Sequence, residues 1–118
     1  MNFVNRISLI ITPKVAMHQW IVDTVESQAP TFEELSNESS SYLFEEPTQE
    51  VDITTLKQSL ITQNFQDIWA NELSVWDEFQ DNFPNDMNEE NFKKWFTVTL
   101  SGLTFDLAKS PLMIAPVQ

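Results

Sequence analysis

An α+β fold, with a three-stranded sheet covered by helices in the element order β-α-β-α-α-β, is predicted by three features of the sequence. Its first and last structured segments are rich in β-branched and aliphatic residues, or alternate apolar with polar ones, as strands do. Two intervening segments repeat apolar residues at helical spacing. The 118 residues suffice for one core and not for two. We expect a single domain over 1–108, followed by an apolar, proline-containing tail over 109–118.

The first strand is Asn5 to Thr12, with Ile7, Leu9 and Ile11 on one pleat face and Ile10 on the other, a pattern that predicts a central position in a covered sheet. Thr12 then reads as a helix cap with Pro13 in the first turn. Met17, Trp20, Ile21 and Val25 follow at helical spacing, ending near Ser27. Pro30 to Ser41 reads as loop, apart from one short turn opened by the capping box Thr31-Phe-Glu-Glu. Tyr42 to Phe44 forms a second, short strand, closed by Glu45, Glu46 and Pro47.

From Asp52 to about Glu78 the pattern is helical but changes phase. Ile53, Leu56 and Leu60 form one stripe; Ile61, Phe65, Ile68, Trp69, Leu73 and Trp76 form another. Either two helices meet near Thr62 to Asn64, or one helix packs against two neighbours. Asp86 to Glu89 offers another capping box, opening a helix over Met87 to Phe96. In the final strand Phe96, Val98 and Leu100 alternate on even positions and Leu103, Phe105 and Leu107 on odd ones. The flip falls at Ser101-Gly102, the only glycine, and predicts a β-bulge or a sharp bend there.

The residues Asn5-Arg-Ile-Ser-Leu-Ile-Ile-Thr-Pro-Lys14 with Trp20, Tyr42-Leu43, Trp69 with Glu72-Leu73 and Trp76, and Phe92 to Phe96 with Asp106-Leu107 resemble a family of short, acidic, uncharacterised bacterial proteins. The resemblance covers most of the chain to about Leu107. It implies an independently folding bacterial domain and, the family having no assigned activity, carries over no catalytic or binding residue.

Composition excludes several functions. The chain has no cysteine, hence no disulfide, Cys-ligated zinc or thiol chemistry, and a reducing, cytoplasmic setting is expected. No apolar run reaches the length of a membrane span. One histidine, His18, cannot build a His-rich zinc site, and one glycine cannot form a Walker or dinucleotide-binding loop. We expect no cofactor and no enzymatic activity. Asp77, Asp81, Asn85, Asp86 and Glu89 lack the spacing of a calcium loop.

The net charge of −12 disfavours direct binding to nucleic acid or anionic membrane and favours basic proteins. No Lys or Arg lies between Lys14 and Lys57 or between Lys57 and Lys93, and acidic residues fill both gaps. The leading expectation is therefore a non-enzymatic interaction protein, in its sharpest form a nucleic-acid mimic. It would present Glu45, Glu46, Glu50, Asp77, Glu78 and Asp81 to a basic protein partner. The alternative is a small-molecule or divalent-cation site in which Trp69 and Trp76 wall a pocket and Glu72 and Arg6 supply polar contacts. Helical phase places Glu72 among apolar residues, but a flank residue that reaches solvent, a hydrogen bond to a sheet edge or a pair with Arg6 accounts for it more simply than a pocket floor. The apolar tail offers a third route, docking on another chain as a homo-oligomer.

Overall fold

The computed structural model describes residues 1–117. In chain order the elements are β1 (Asn2–Val4), β2 (Arg6–Pro13), α1 (Val15–Val25), α2 (Phe32–Ser36), β3 (Ser40–Glu45), α3 (Ile53–Ser74), α4 (Glu89–Trp95), β4 (Phe96–Ser101) and β5 (Thr104–Asp106). The fold is α+β. A three-stranded antiparallel sheet of order β3-β2-β4 carries the helices, and β1 and β5 form a separate two-stranded ladder.

β2 is central, as its residues require, but the helices cover only one face of the sheet. On that face Ile7, Leu9 and Ile11 of β2 and Phe96 and Val98 of β4 are buried. Met17 and Ile21 of α1, Leu35 of α2, Ile61, Ile68, Trp69 and Leu73 of α3, and Phe92 of α4 pack into the same core. The opposite face carries Ser41 and Leu43 of β3, Ser8 and Ile10 of β2, and Thr99 and Ser101 of β4, paired across the sheet. Hydroxyl-bearing side chains tolerate water there, the usual solution for an antiparallel sheet with one wet face. Ile10 and Leu43 are the apolar exceptions, the first half-buried and the second exposed, and Ser8 between the flanking strands is buried.

Pro13 belongs to β2, where it lies opposite Phe96, and not to the following helix. β3 pairs only as far as Ile11, so on that side Pro13 has no neighbour to which a ladder donor would be owed. Lys14 takes the N-cap position without a side-chain cap, and Thr12 instead shares a hydrogen bond with Ser39, 2.8 Å between hydroxyls. The capping box at Thr31 forms as expected, with Thr31 Oγ1 accepting from Glu34 N and Glu34 Oε1 from Thr31 N.

The long helical segment is one unbroken helix. Its second stripe enters the core, while Leu56 and Leu60 of the first are half-buried and Ile53 is exposed. α3 ends at Ser74, short of the expected Glu78, because a compact turn follows. Asp77 is buried and its carboxylate accepts from Asp81 N at 3.3 Å and Asn82 N at 2.7 Å. The last helix is capped by Asn88, whose Oδ1 accepts from Asn91 N, in place of the expected Asp86 box, and Phe96 is already strand.

The phase flip near Gly102 is a bend at which the chain leaves one ladder for another. The β1–β2 and β4–β5 segments pair twice, with Ser8 opposite Ser101 and Val4 opposite Thr104. Between those pairs lie Asn5, Arg6 and Ile7 on one side and only Gly102 and Leu103 on the other. The extra residue, and with it the bulge-like irregularity, therefore belongs to the N-terminal segment. Thr104 Oγ1 donates across the break to Arg6 O at 3.2 Å. Beyond it Phe105 stacks edge-on against Phe3, ring centroids 6.0 Å apart, with both rings about half exposed. Residues 107–117 form no helix or strand, and Leu112, Met113, Ile114 and Val117 are exposed.

Gly102 has no positive φ, and a methyl group in place of its hydrogen would meet nothing within 4 Å. Gly102→Ala is therefore expected to stabilise the fold by about 0.4–1 kcal/mol through the unfolded chain. Trp69→Ala is expected to cost about 3–5 kcal/mol by opening the core. Urea denaturation of both variants checks the pair.

Candidate functional site

Glu72 is clamped to the edge strand. Ser40 and Tyr42 project from the core face of β3, and their hydroxyls donate to Oε1 at 3.1 Å and Oε2 at 2.5 Å of Glu72. Asn71 Nδ2 donates in turn to the Tyr42 hydroxyl at 3.0 Å. Glu72 is received at the sheet edge by hydroxyl donors on β3, one of the readings open at the sequence, and does not pair with Arg6. Burial pushes the Tyr42 phenol well above its ordinary pKa; the Asn71 bond opposes this and the Glu72 carboxylate adds to it.

Of the expected pocket residues, Glu72 and Trp76 line one cavity of about 120 Å³, with Met17, Leu35 and Ser40. That is below the roughly 300 Å³ at which small-molecule pockets begin, and both Glu72 oxygens are occupied. Trp69 lies elsewhere, fully buried against Trp95, Phe92 and Phe96 at centroid distances of 5.1, 5.8 and 6.4 Å. Arg6 lies on the opposite sheet face, its Nη1 donating to Asn5 O and Asn5 Oδ1 at 2.8 and 3.1 Å. Alternation along β2 requires this, since Arg6 shares the parity of Ser8 and Ile10 and not of Leu9. His18 is structural: Nε2 meets Pro30 O at 2.8 Å and the ring packs on Phe32. Among the described residues no group of three or more His, Cys, Asp or Glu could hold a metal ion.

The acidic residues divide by what their carboxylates touch. Asp52 caps α3, Glu33 and Glu34 occupy the first turn of α2, and Glu89 and Glu90 that of α4. Each there complements the positive end of a helix. The Thr31 backbone and hydroxyl bonds hold the Glu34 carboxyl below its ordinary pKa, and Thr62, Lys93 and Gln58 do the same for Glu89. Asp77, expected on the acidic surface, is instead the buried cap of its own turn. By contrast Glu45, Glu46, Glu50, Glu78 and Asp81 are exposed. Among the described residues only Glu89 and Glu90 pair with lysines, at 3.2 and 3.7 Å from Lys93 and Lys94.

Glu45, Glu46 and Glu50 precede α3 in the chain, and Glu78 and Asp81 follow it. The second group is held in place: Asp77 ties the turn from within, and Trp20 Nε1 donates to Asn82 O at 2.9 Å.

A different concavity, of about 380 Å³, runs along the free edge of β4. Lys14, Lys57 and Lys93 line it above a floor of Ile61, Phe96 and Val98. Sequence reasoning missed it, since residues so far apart, on four different elements, share no spacing or period. The one available signal was the scarcity of Lys and Arg, of which there are 6. No protein-family model, curated protein or solved structure matches the chain.

The chain has a single tyrosine, which makes the Glu72 clamp readable by ultraviolet absorbance. Because the folded phenol has the higher pKa, its contribution to stability is complete below about pH 10, where the unfolded phenol titrates. It is lost progressively as the pH rises above that value. Tyrosinate absorbance should therefore appear beyond pH 10 and together with alkaline unfolding. Tyr42→Phe should lower stability by about 1.5–3 kcal/mol at neutral pH, the range for a hydrogen bond to a charged group, and flatten the alkaline loss.

Proposed function

We propose that this chain is a non-enzymatic interaction protein whose exposed carboxylates engage a basic protein partner. The observation that carries the reading is the division of the acidic residues. Those at helix starts have a structural reason to be there, whereas Glu46, Glu50, Glu78 and Asp81 accept no hydrogen bond and form no salt bridge among the described residues, and Glu45 lies opposite Arg6 across the β2–β3 ladder without a salt bridge to it. Unpaired surface carboxylates in such number repel one another and lower the stability of the compact state. A cationic partner relieves that repulsion and gains rate and selectivity from it.

The exposed carboxylates fall on two chain segments, Glu45 to Glu50 before α3 and Glu78 to Asp81 after it, and α3 itself contributes only Asp67 and Glu72. Asp81 and Glu78 sit on a turn already braced by Asp77 and Trp20, so ordering them on binding would cost little. A cytoplasmic setting suits a chain without cysteine.

The test is capture of basic proteins from a nuclease-treated bacterial lysate at low and at physiological salt, with the wild-type chain and two neutralised variants. The expected result is a discrete basic protein whose retention falls several-fold as salt rises. It should be lost in either the Glu45→Gln/Glu46→Gln/Glu50→Gln chain or the Glu78→Gln/Asp81→Asn chain. Retention indifferent to salt and to both variants would overturn the proposal.

A further inference from the structure

We infer that the concavity along the free edge of β4 is a binding site for a small organic anion, a carboxylate or phosphate head carried on an apolar body. It is distinct from the acidic surfaces and does not depend on them. Three of the chain's few basic residues reach it from separate elements: Lys14 from the β2–α1 junction, Lys57 from α3 and Lys93 from the end of α4. In a protein of net charge −12, self-repulsion and attraction both favour setting each lysine beside a carboxylate, and Lys94 does so with Glu90. Lys93 also pairs, with Glu89, whereas Lys14 and Lys57 have no carboxylate within salt-bridge distance among the described residues, and all three converge on the cavity.

Their existing contacts leave donors free. Lys14 Nζ donates to Lys93 O at 2.9 Å, and Lys93 Nζ to Gln58 Oε1 at 2.7 Å while pairing with Glu89 at 3.2 Å. Each ammonium has three donors, so both retain capacity. Lys57 is half-buried and has neither a hydrogen-bond acceptor nor a carboxylate partner among the described residues. All three donors of the Lys57 ammonium are therefore available to an incoming anionic head group. The floor of Ile61, Phe96 and Val98 is apolar, and the volume of about 380 Å³ lies within the range that holds a drug-sized ligand. Lysines act as point charges without the planar fork of arginine, so the site selects for negative charge on a suitably sized apolar body rather than for one head-group geometry.

Calorimetric titration of the full chain with phenyl phosphate, phenylacetate, inorganic phosphate and the neutral phenethyl alcohol tests this. Amide chemical-shift mapping locates the site. Either aromatic anion is expected to bind at millimolar concentration or below, with shifts confined to Lys14, Thr54 to Ile61 and Lys93 to Val98; which one binds more tightly identifies the head group. Inorganic phosphate and the alcohol should each bind at least about tenfold more weakly, a difference of about 1.4 kcal/mol. Lys57→Gln should weaken the aromatic anion by about tenfold or more, and Lys94→Gln, outside the cavity, should not. Lys57→Arg keeps the charge and should retain binding, which covers a perturbed fold in the glutamine variant. The proposal is overturned by equal binding of the alcohol, by equal binding of bare phosphate, by shifts centred elsewhere, by equal loss in the Lys57 and Lys94 variants, or by no binding at all.

Discussion

The packing of Trp69 against Trp95, Phe92 and Phe96 is the contact on which the rest of the structure depends. α4 passes into β4 between Trp95 and Phe96 with no intervening loop, so one indole ring secures the helix, the strand and the junction between them. Its ring meets the others at 63 to 89°, the edge-to-face geometry that aromatic quadrupoles favour. This arrangement leaves Trp69 Nε1 as the buried side-chain polar atom without a hydrogen-bond partner among the described residues. Ring edges packed on ring faces offset part of that loss.

From that centre the helices inherit their places. Lys14 N donates to Trp95 O at 2.8 Å, fixing the start of α1 on the same junction, and Trp20 of α1 packs against Trp95 at 6.3 Å. The far side of α3 is tied to β3 by the Glu72 clamp. α3 is thus held by an aromatic contact toward β4 and a polar one toward β3, and together they span the covered face of the sheet. The open face needs no such tie, because its Ser and Thr side chains are compatible with water.

The charge distribution follows from this scaffold. α3 spans the covered face, its C-terminal part tied to β3. Its first turns stand beside the free edge of β4, where Lys57 joins two lysines from other elements. One anionic chain therefore presents exposed acidic segments and a local cationic concavity. Such opposite fields on a small protein are kept apart by geometry rather than by sequence distance, since Lys93 lies only a helical turn from Glu89 and Glu90.

Much of this architecture was legible from local chemistry. The aliphatic run at Ile7 to Ile11 determined a central strand, the capping box at Thr31 a helix start, and helical phase the inward position of Trp69 and Glu72, because side-chain direction repeats along an element whatever it packs against. The total charge was likewise readable. Whatever depends on residues far apart in the chain was decided by tertiary structure alone: the side of the sheet the helices cover, the retention of Pro13 in β2, the side of the break that carries the extra residue, the separation of Arg6 from Glu72, the burial of Asp77, and the convergence of Lys14, Lys57 and Lys93. The physical reason is common to all of these. Period and propensity specify a residue's direction relative to its own element, and only the docking of one element on another decides what it meets.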